Sequence, residues 1–239
     1  MLLKKTGIGK LLILTLLMAM MLGGTGQVFA KHTAVGKAAS VTYVKPGDSR
    51  RVIIYVGDSR VMYCTCGGGQ KNDIRTNFAF CFVNGGNVGV IRRGGGKLTS
   101  QVEAFIERYR SRNPVIVFNF GLNGNGRPAK NARKLINIYR TWRNAYPDLT
   151  FYVEGIGSTI VKKGSYSNAN VLRLNSLLKA EYEPQGMWID TYRFLEENNI
   201  VDDTKRGRRD NYHYKWVTSK QILIRLRELI EDDTASKTK

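Results

Sequence analysis

The chain has 239 residues, of which 42% are hydrophobic and 24% charged, an ordinary globular balance that excludes a wholly disordered protein. Lys and Arg number 38 against 19 Asp and Glu, so the formal net charge is +19 and an anionic partner or habitat is expected. Three scattered cysteines and two histidines exclude a disulfide scaffold and a zinc ribbon.

Residues 1–30 have the composition of a secretory signal peptide. Three lysines precede an apolar run over 11–22, and small residues lead to Ala30. We predict cleavage after Ala30, with a retained anchor as the alternative, because residues 11–30 carry no charge. Cleavage would lower the net charge from +19 to +16. The folded part is then expected to be secreted or in the cell envelope, where anionic polymers are more accessible partners than nucleic acid.

Beyond the signal peptide, apolar β-branched runs alternate with segments of helical periodicity. Residues 31–50 are small and polar and are interpreted as an extended leader, 51–232 as one domain, and 233–239 as a polar tail. The predicted strands are 52–56, 78–83, 115–118, 149–153 and 187–189. The predicted helices are one that starts at the capping box Ser100-x-x-Glu103, one across 135–142, one at 168–183 and one at 222–230.

Strands that are unbroken apolar runs, separated by helices, indicate a parallel sheet covered on both faces. We therefore predict an α/β fold, a three-layer α/β/α sandwich around a central, mostly parallel five-stranded sheet of the flavodoxin-like type. Ligand sites in such sheets lie beyond the carboxyl ends of the strands, at the switch in strand order. The residues that directly follow each strand are therefore the candidates for function.

The first predicted strand runs directly into the tight turn Gly57-Asp58-Ser59-Arg60. A serine at such a turn presents its hydroxyl and its amide to the same side, which suits a nucleophile, although a helix N-cap is the commoner role. An identical tetrapeptide occurs at 47–50, where no apolar strand precedes it. We interpret that copy as a chance repeat in a loop.

Three further loops carry polar or flexible residues after predicted strands. The second strand leads to a glycine run that includes Gly94 and Gly95, and the third leads to Asn123 in an Asn/Gly-rich loop. Near the C-terminus, Asp210 stands three residues before His213, the sole histidine of the predicted domain. Taken singly, these residues also fit a flexible loop, an Asn-Gly turn and a surface histidine.

In this order, the four blocks resemble those of the SGNH hydrolase superfamily, also called the GDSL esterase/lipase family. The family pattern is Gly-Asp-Ser, then Gly, then Gly-x-Asn-Asp, then Asp-x-x-His, and the resemblance covers nearly the whole predicted domain. The chain departs from it twice: Arg60 replaces Leu, and Gly124 replaces the Asp that follows Asn123. The glycine of the second block is Gly94, with Gly95 as the alternative.

The resemblance implies a serine esterase that needs no metal or organic cofactor. Ser59 would attack the ester carbonyl, His213 would accept and return the proton, and Asp210 would orient the imidazole. The amides of Ser59 and Gly94 and the side chain of Asn123 would form the oxyanion hole. Activity would then fall in acid as the imidazole is protonated.

The expected substrate is a short acyl ester, mainly acetyl, on carbohydrate or a cell-wall polymer, hydrolysed by a monomer. The alternatives are a non-catalytic protein that binds anionic cell-wall glycans on the same fold, a lysophospholipase, a thioesterase and an acyltransferase. Lys205, Arg206, Arg208 and Arg209 precede the Asp-x-x-His block and are interpreted as a basic rim that attracts an anionic polymer, or else as an ordinary solvated loop.

The three cysteines lie at Cys64, Cys66 and Cys81. They are interpreted as buried small apolar groups, which is common for free cysteine. One bridge between Cys81 and either neighbour is the alternative.

Overall fold

A central sheet with helices on both faces forms the body of the protein. The computed structural model describes residues 36–67, 73–86, 88–200 and 207–237, and the predicted signal peptide lies outside them. The strands are β1 (Ala38–Thr42), β2 (Ile53–Gly57), β3 (Phe78–Val83), β4 (Val115–Asn119), β5 (Thr150–Glu154) and β6 (Trp188–Ile189). The α-helices are α1 (Ser59–Cys64), α2 (Lys97–Arg108), α3 (Pro128–Ala145), α4 (Asn168–Tyr182), α5 (Thr191–Glu197) and α6 (Trp216–Lys237).

Five of the six strands are parallel, and the whole sheet has the order β1-β3-β2-β4-β5-β6. The parallel part is the predicted flavodoxin-like, doubly wound sheet. The chain passes from β2 to β3 on one side of it, and then crosses from β3 to β4 on the other side of β2. The strand order therefore switches at β2. Gly57 ends β2 level with Asn119 at the end of β4. The crevice expected to hold a ligand therefore opens directly beyond Gly57.

The predicted count of five strands is one too few. Residues 38–42, inside the segment interpreted as a leader, form β1 and pair antiparallel with β3 from Ala38 opposite Val83 to Thr42 opposite Ala79. As an edge strand, β1 is only partly buried, whereas every residue of β2 and β3 is buried. Its sequence therefore lacks the continuous apolar run that marks a central strand.

Alternate residues along each strand pack into separate cores on the two faces of the sheet. Ile54 and Val56 of β2 face the core under α2, α3 and α4. Ile53 and Tyr55 face the core under α1 and α6. This is the predicted three-layer α/β/α sandwich, with the sheet packed between two hydrophobic cores.

One helix start differs from the sequence expectation. The prediction that a capping box at Ser100 starts the helix is wrong, because α2 begins at Lys97 with Gly96 as its N-cap. Ser100 lies inside the helix, and its hydroxyl donates to the Gly96 carbonyl at 3.4 Å. A serine in the first turns of a helix can bond back to the preceding turn, and the local sequence does not distinguish that from a cap.

All three cysteines are free thiols. Cys64 and Cys81 are buried, as interpreted from the sequence, and Cys66 is half-buried. Burial raises the pKa of each of these thiols, which keeps them protonated and poorly nucleophilic. Among the described residues, no helix combines the length and apolar character needed to cross a membrane.

Candidate active site

The turn that joins β2 to α1 places a serine at the switch point of the sheet. Gly57 has no room for a side chain, because a Cβ there would lie 2.2 Å from Val61 and 2.6 Å from the Asn119 carbonyl oxygen. Asp58 caps α1 by accepting a hydrogen bond from the Arg60 amide at 3.0 Å. Ser59 is therefore the first residue of the helix, with its amide in a turn that has no intrahelical acceptor.

The segment before α6 folds back on itself and presents a histidine. The Arg209 amide donates to the His213 carbonyl at 2.9 Å, which closes the loop. At its tip, one oxygen of Asp210 accepts the amides of Tyr212 and His213, both at 2.8 Å. The Asp-x-x-His spacing thus lets one carboxylate reach the imidazole, because that carboxylate also caps the turn that carries it.

Ser59, His213 and Asp210 form a continuous hydrogen-bonded chain. Ser59 Oγ lies 2.8 Å from His213 Nε2, and His213 Nδ1 lies 2.7 Å from Asp210 Oδ2. With Nδ1 donating to the carboxylate, Nε2 is left as the acceptor for the serine hydroxyl. The structure therefore brings the three predicted catalytic residues together, although Ser59 and His213 are 154 positions apart in sequence.

The surroundings favour an ionised Asp210 beside this histidine. Burial opposes the charge, but hydrogen bonds from the His213 ring and from the amides of Tyr212 and His213 outweigh it, so the pKa of Asp210 is lowered. The Tyr63 ring packs against the imidazole with a centroid distance of 4.6 Å. Asp210 can therefore hold the imidazole in one tautomer and stabilise its cation.

Asn123 approaches the serine turn from the loop after β4. Its Nδ2 donates to Asp58 Oδ2 at 3.2 Å and to the Gly86 carbonyl at 3.1 Å. Burial raises the pKa of Asp58, and the Asn123 amide is one of the groups that oppose this rise. The side chain predicted for the oxyanion hole is thus tied to the residue that precedes Ser59.

The loop segment that contacts Asn123 is the one at Gly86, not the later glycine run. A Cβ at Gly86 would lie 2.1 Å from Val83, so only glycine fits this turn. The Gly95 amide donates to the Arg92 carbonyl at 2.8 Å and is used within its own turn. Gly94 is exposed with φ +72°, and its oxyanion role stays a prediction.

Two buried arginines, which the sequence did not predict to be buried, lie behind the histidine loop, the segment 207–214 that carries His213. Arg60 donates to the Gly157 carbonyl at 2.7 Å, and Arg208 donates to the Ser158 carbonyl at 2.7 Å. Their guanidinium carbons stand 4.9 and 5.4 Å from the Tyr214 ring centroid. Tyr214 directly follows His213, and its hydroxyl donates to the Ser158 carbonyl at 2.9 Å. The buried arginines thus join the histidine loop to the loop after β5.

Solved structures of several acylhydrolases share this architecture. A lipase/acylhydrolase from Enterococcus faecalis is 13% identical and superposes with a TM-score of 0.53 over 78% of this chain and 96% of that one. A member of the lipolytic G-D-S-L family from Veillonella parvula is 16% identical, with a TM-score of 0.50 over 72% and 93% of the two chains. The chain has the SGNH hydrolase fold. A GDSL-like lipase from Bacteroides thetaiotaomicron, 12% identical, gives 0.50 over 77% and 89%.

The comparisons by sequence found no relative of this chain. No family model matches the chain, and no curated protein sequence matches it. At 12–16% identity, the likeness establishes the SGNH fold and leaves activity to be argued from the site.

The SGNH fold distinguishes the two Gly-Asp-Ser-Arg copies. Ser59 lies beyond the carboxyl end of β2, whereas Ser49 is exposed in a turn before that strand begins. In the earlier copy, Asp48 accepts the Arg50 amide at 3.0 Å and pairs with the Arg50 guanidinium at 2.7 Å. Hydrogen bonding to the Arg50 side chain lowers the pKa of Asp48 to about 2. The first copy thus lies in a loop, as interpreted from the sequence, and its Asp48–Arg50 ion pair is a finding of the structure.

The predicted basic rim is only partly present around the candidate site. Lys205 and Arg206 lie outside the described residues. Arg208 is buried at 5% exposure and points inward to Ser158, so its assignment to the rim is wrong. Arg209 remains outside, with its guanidinium 4.8 Å from the Tyr63 ring centroid.

Proposed function

We propose that this protein is a serine carboxylic ester hydrolase of the SGNH type. The observation that carries the proposal is the chain of Ser59, His213 and Asp210, joined at 2.8 and 2.7 Å at the switch point of the sheet. A serine beside a neutral imidazole that a carboxylate orients is the arrangement that activates a hydroxyl for acyl transfer.

The reaction follows from these contacts. Ser59 Oγ attacks the ester carbonyl carbon while His213 Nε2 accepts its proton, and Asp210 stabilises the resulting imidazolium. His213 then returns the proton to the alcohol oxygen, the carbon–oxygen bond breaks, and an acyl-Ser59 ester remains. Water gives a proton to His213 as it attacks this ester. The bond between the acyl carbon and Ser59 Oγ then breaks, His213 returns the proton to Oγ, and the carboxylic acid leaves.

The negative oxygen of each tetrahedral intermediate needs donors that point to one place. The amide of Ser59, at the start of α1, supplies one such donor. The Asn123 Nδ2 supplies a second when the oxyanion replaces the Gly86 carbonyl as the acceptor of one of its hydrogens. Its other hydrogen stays on Asp58, which keeps the amide beside the reaction centre. Of the two glycines predicted for the third donor, we keep the Gly94 amide, because the Gly95 amide already donates to the Arg92 carbonyl.

We assign a short acyl ester, mainly acetyl, on a carbohydrate or cell-wall polymer as the substrate. The cavity beside Asn123, of about 380 Å³, has only polar, charged and glycine residues in its walls. For a long acyl chain such walls offer only the aliphatic stems of Arg and Lys side chains, whereas a glycan could form hydrogen bonds to their polar ends. The predicted signal peptide supports a secreted or cell-envelope protein that meets such polymers.

The duplicated tetrapeptide offers a matched test. Ser59→Ala is expected to abolish hydrolysis of 4-nitrophenyl acetate, with a fall in kcat of at least about 10⁴-fold. Ser49→Ala makes the same change in the same local sequence, but at an exposed turn, and is expected to retain activity close to that of the parent. Circular dichroism would verify that both variants are folded. A folded Ser59→Ala variant with parental activity would refute the proposal.

The acyl specificity is tested separately with a series of 4-nitrophenyl esters from acetyl to decanoyl. We expect kcat/KM to decline beyond butyryl, because the cavity walls are polar. A maximum at octanoyl or longer would instead favour a lysophospholipase or thioesterase, and an absence of all turnover in the parent would favour a non-catalytic glycan-binding protein.

A further inference from the structure

A polar cavity opens next to the proposed reaction centre. It lies between the loop after β4, the first two turns of α3 and the loop after β5, with a volume of about 380 Å³. Asn123 contributes to its wall and also contacts Asp58, the residue before Ser59. Asn123 therefore links the cavity to the turn that carries Ser59.

Three cations line the cavity from the side of α3. Arg127 is the N-cap residue of the helix, and Lys130 and Lys134 follow at three- and four-residue spacing, so all three lie along one face. All three are exposed, and within the described residues none forms an ion pair. The adjacent lysines repel each other at i,i+4 spacing, which costs stability in the absence of an anion.

The surrounding chain does not neutralise these charges. No Asp or Glu occurs in 121–147, which contains the loop after β4 and the whole of α3. None occurs in 155–180 either, and this range contains the loop that supplies Ser165 to the opposite wall. The amino end of α3 adds the positive end of its helix dipole, with no acidic residue in the first turn. The cavity is therefore positive from several directions at once.

The cationic wall is also held in place against the reaction centre. The Asn131 side chain, in the second turn of α3, donates to the Gly121 carbonyl at 3.0 Å. Gly121 stands two residues before Asn123, so this hydrogen bond ties the start of α3 to the loop that carries Asn123. A cation on this wall can therefore position a substrate relative to Ser59 and not merely attract it.

We propose that this cavity is a subsite for an anionic group, a carboxylate or a phosphate, carried by the polar polymer whose ester Ser59 cleaves. This inference rests on the proposed esterase activity and specifies its substrate class. The cavity walls contain no apolar side chain among the described residues that line them, so a polyanionic glycan or polyol phosphate fits better than a lipid. The positive wall is a different surface from the basic segment at 205–209.

The test uses a triple variant, Arg127→Gln, Lys130→Gln and Lys134→Gln, in the full-length protein. Its control, Lys45→Gln, Arg133→Gln and Lys220→Gln, removes the same charge from exposed positions outside the cavity. For each protein, kcat/KM is measured on an acetylated oligouronate and on an acetylated xylo-oligosaccharide, which is neutral. The readout is the ratio of the two values.

We expect this ratio to fall roughly tenfold in the cavity variant, mainly through KM, because three exposed charge contacts are individually weak. The control variant should retain the parental ratio. Raising the salt concentration should lower the parental ratio and have little effect on that of the cavity variant, since screening acts on the same contacts. Equal ratios in parent and cavity variant, with both active, would overturn the subsite while leaving the esterase proposal intact.

A binding experiment, which does not depend on turnover, distinguishes the possible carriers of the anionic group. Ser59→Ala protein is titrated with an unacetylated oligouronate, with a glycerol phosphate oligomer and with vesicles of anionic phosphatidylglycerol. Binding of either oligomer that weakens in the cavity variant supports the subsite, and the tighter of the two identifies carboxylate or phosphate. Binding of the vesicles alone, or oligomer binding that is unaffected by the cavity substitutions, would overturn it.

Discussion

Arg60→Leu tests whether the buried arginines position the catalytic loop, and it installs the residue that the family pattern has at this position. Arg60 is 6% exposed and donates to the Gly157 carbonyl at 2.7 Å and to the Ser158 carbonyl at 3.3 Å. Leucine can fill part of the space but cannot donate. The Ser158 carbonyl would keep its bonds from Arg208 and from the Tyr214 hydroxyl, whereas the Gly157 carbonyl would lose its donor.

The expected magnitude follows from that difference. An unpaired buried carbonyl costs about 1–3 kcal/mol, and removal of the buried Arg60 Nε, which lacks a partner, offsets part of this. We therefore expect the free energy of unfolding to fall by about 2 kcal/mol, or about 4–8 °C in Tm for a chain of this size. Burial raises the pKa of the nearby Glu154, and Arg60 opposes that rise, so Glu154 should be protonated more readily in the variant.

Activity should change as well, because Tyr214 carries the loop of His213. Loss of one of the two guanidinium groups against Tyr214 is expected to lower kcat by about 10- to 100-fold with little change in KM. Thermal unfolding and hydrolysis of 4-nitrophenyl acetate measure the two effects. Arg133→Leu, at an exposed position, is the control and should shift stability by less than about 0.5 kcal/mol. Parental Tm and kcat in Arg60→Leu would refute the positioning role.

The remaining predictions concern the triad and its oxyanion donor. Asn123→Ala should lower kcat by about 100- to 1000-fold with little change in KM, because its amide acts when the oxyanion forms; a change confined to KM would indicate substrate positioning instead. Asp210→Asn should lower kcat by about 10²–10³-fold, less than the roughly 10⁴-fold cost at a buried triad carboxylate, because the Asp210 side chain is 44% exposed. The folded-state pKa of Asp210 is lowered, so its contribution to stability is present at neutral pH and lost as pH falls through that value. Denaturant titrations from pH 7 to pH 2 should show a steeper acid loss in the parent than in Asp210→Asn, and parallel curves would contradict this.

Several features of the protein could be predicted from local sequence because local physics decides them. The strands at 78–83 and 115–119 are fully buried and therefore read as unbroken apolar runs. The Asp210 carboxylate reaches His213 because three residues fit one turn, and the apolar strand before Gly57 distinguishes Ser59 from Ser49. These signals together indicated both the fold class and the order of the candidate site residues.

Other features depend on chain segments that are far apart in sequence, and only the tertiary structure decided them. The antiparallel edge strand Ala38–Thr42 has a partner on one side only, so it lacks the apolar signature of the central strands. Arg208 reads as a surface residue in a basic run, yet it is buried because the Ser158 carbonyl and hydroxyl accept its donors. Likewise, the segment that meets Asn123 is at Gly86, because the path of a loop is set by packing and not by its glycine count. Sequence spacing fixes contacts within a turn, whereas contacts between loops depend on how the sheet aligns its strand ends.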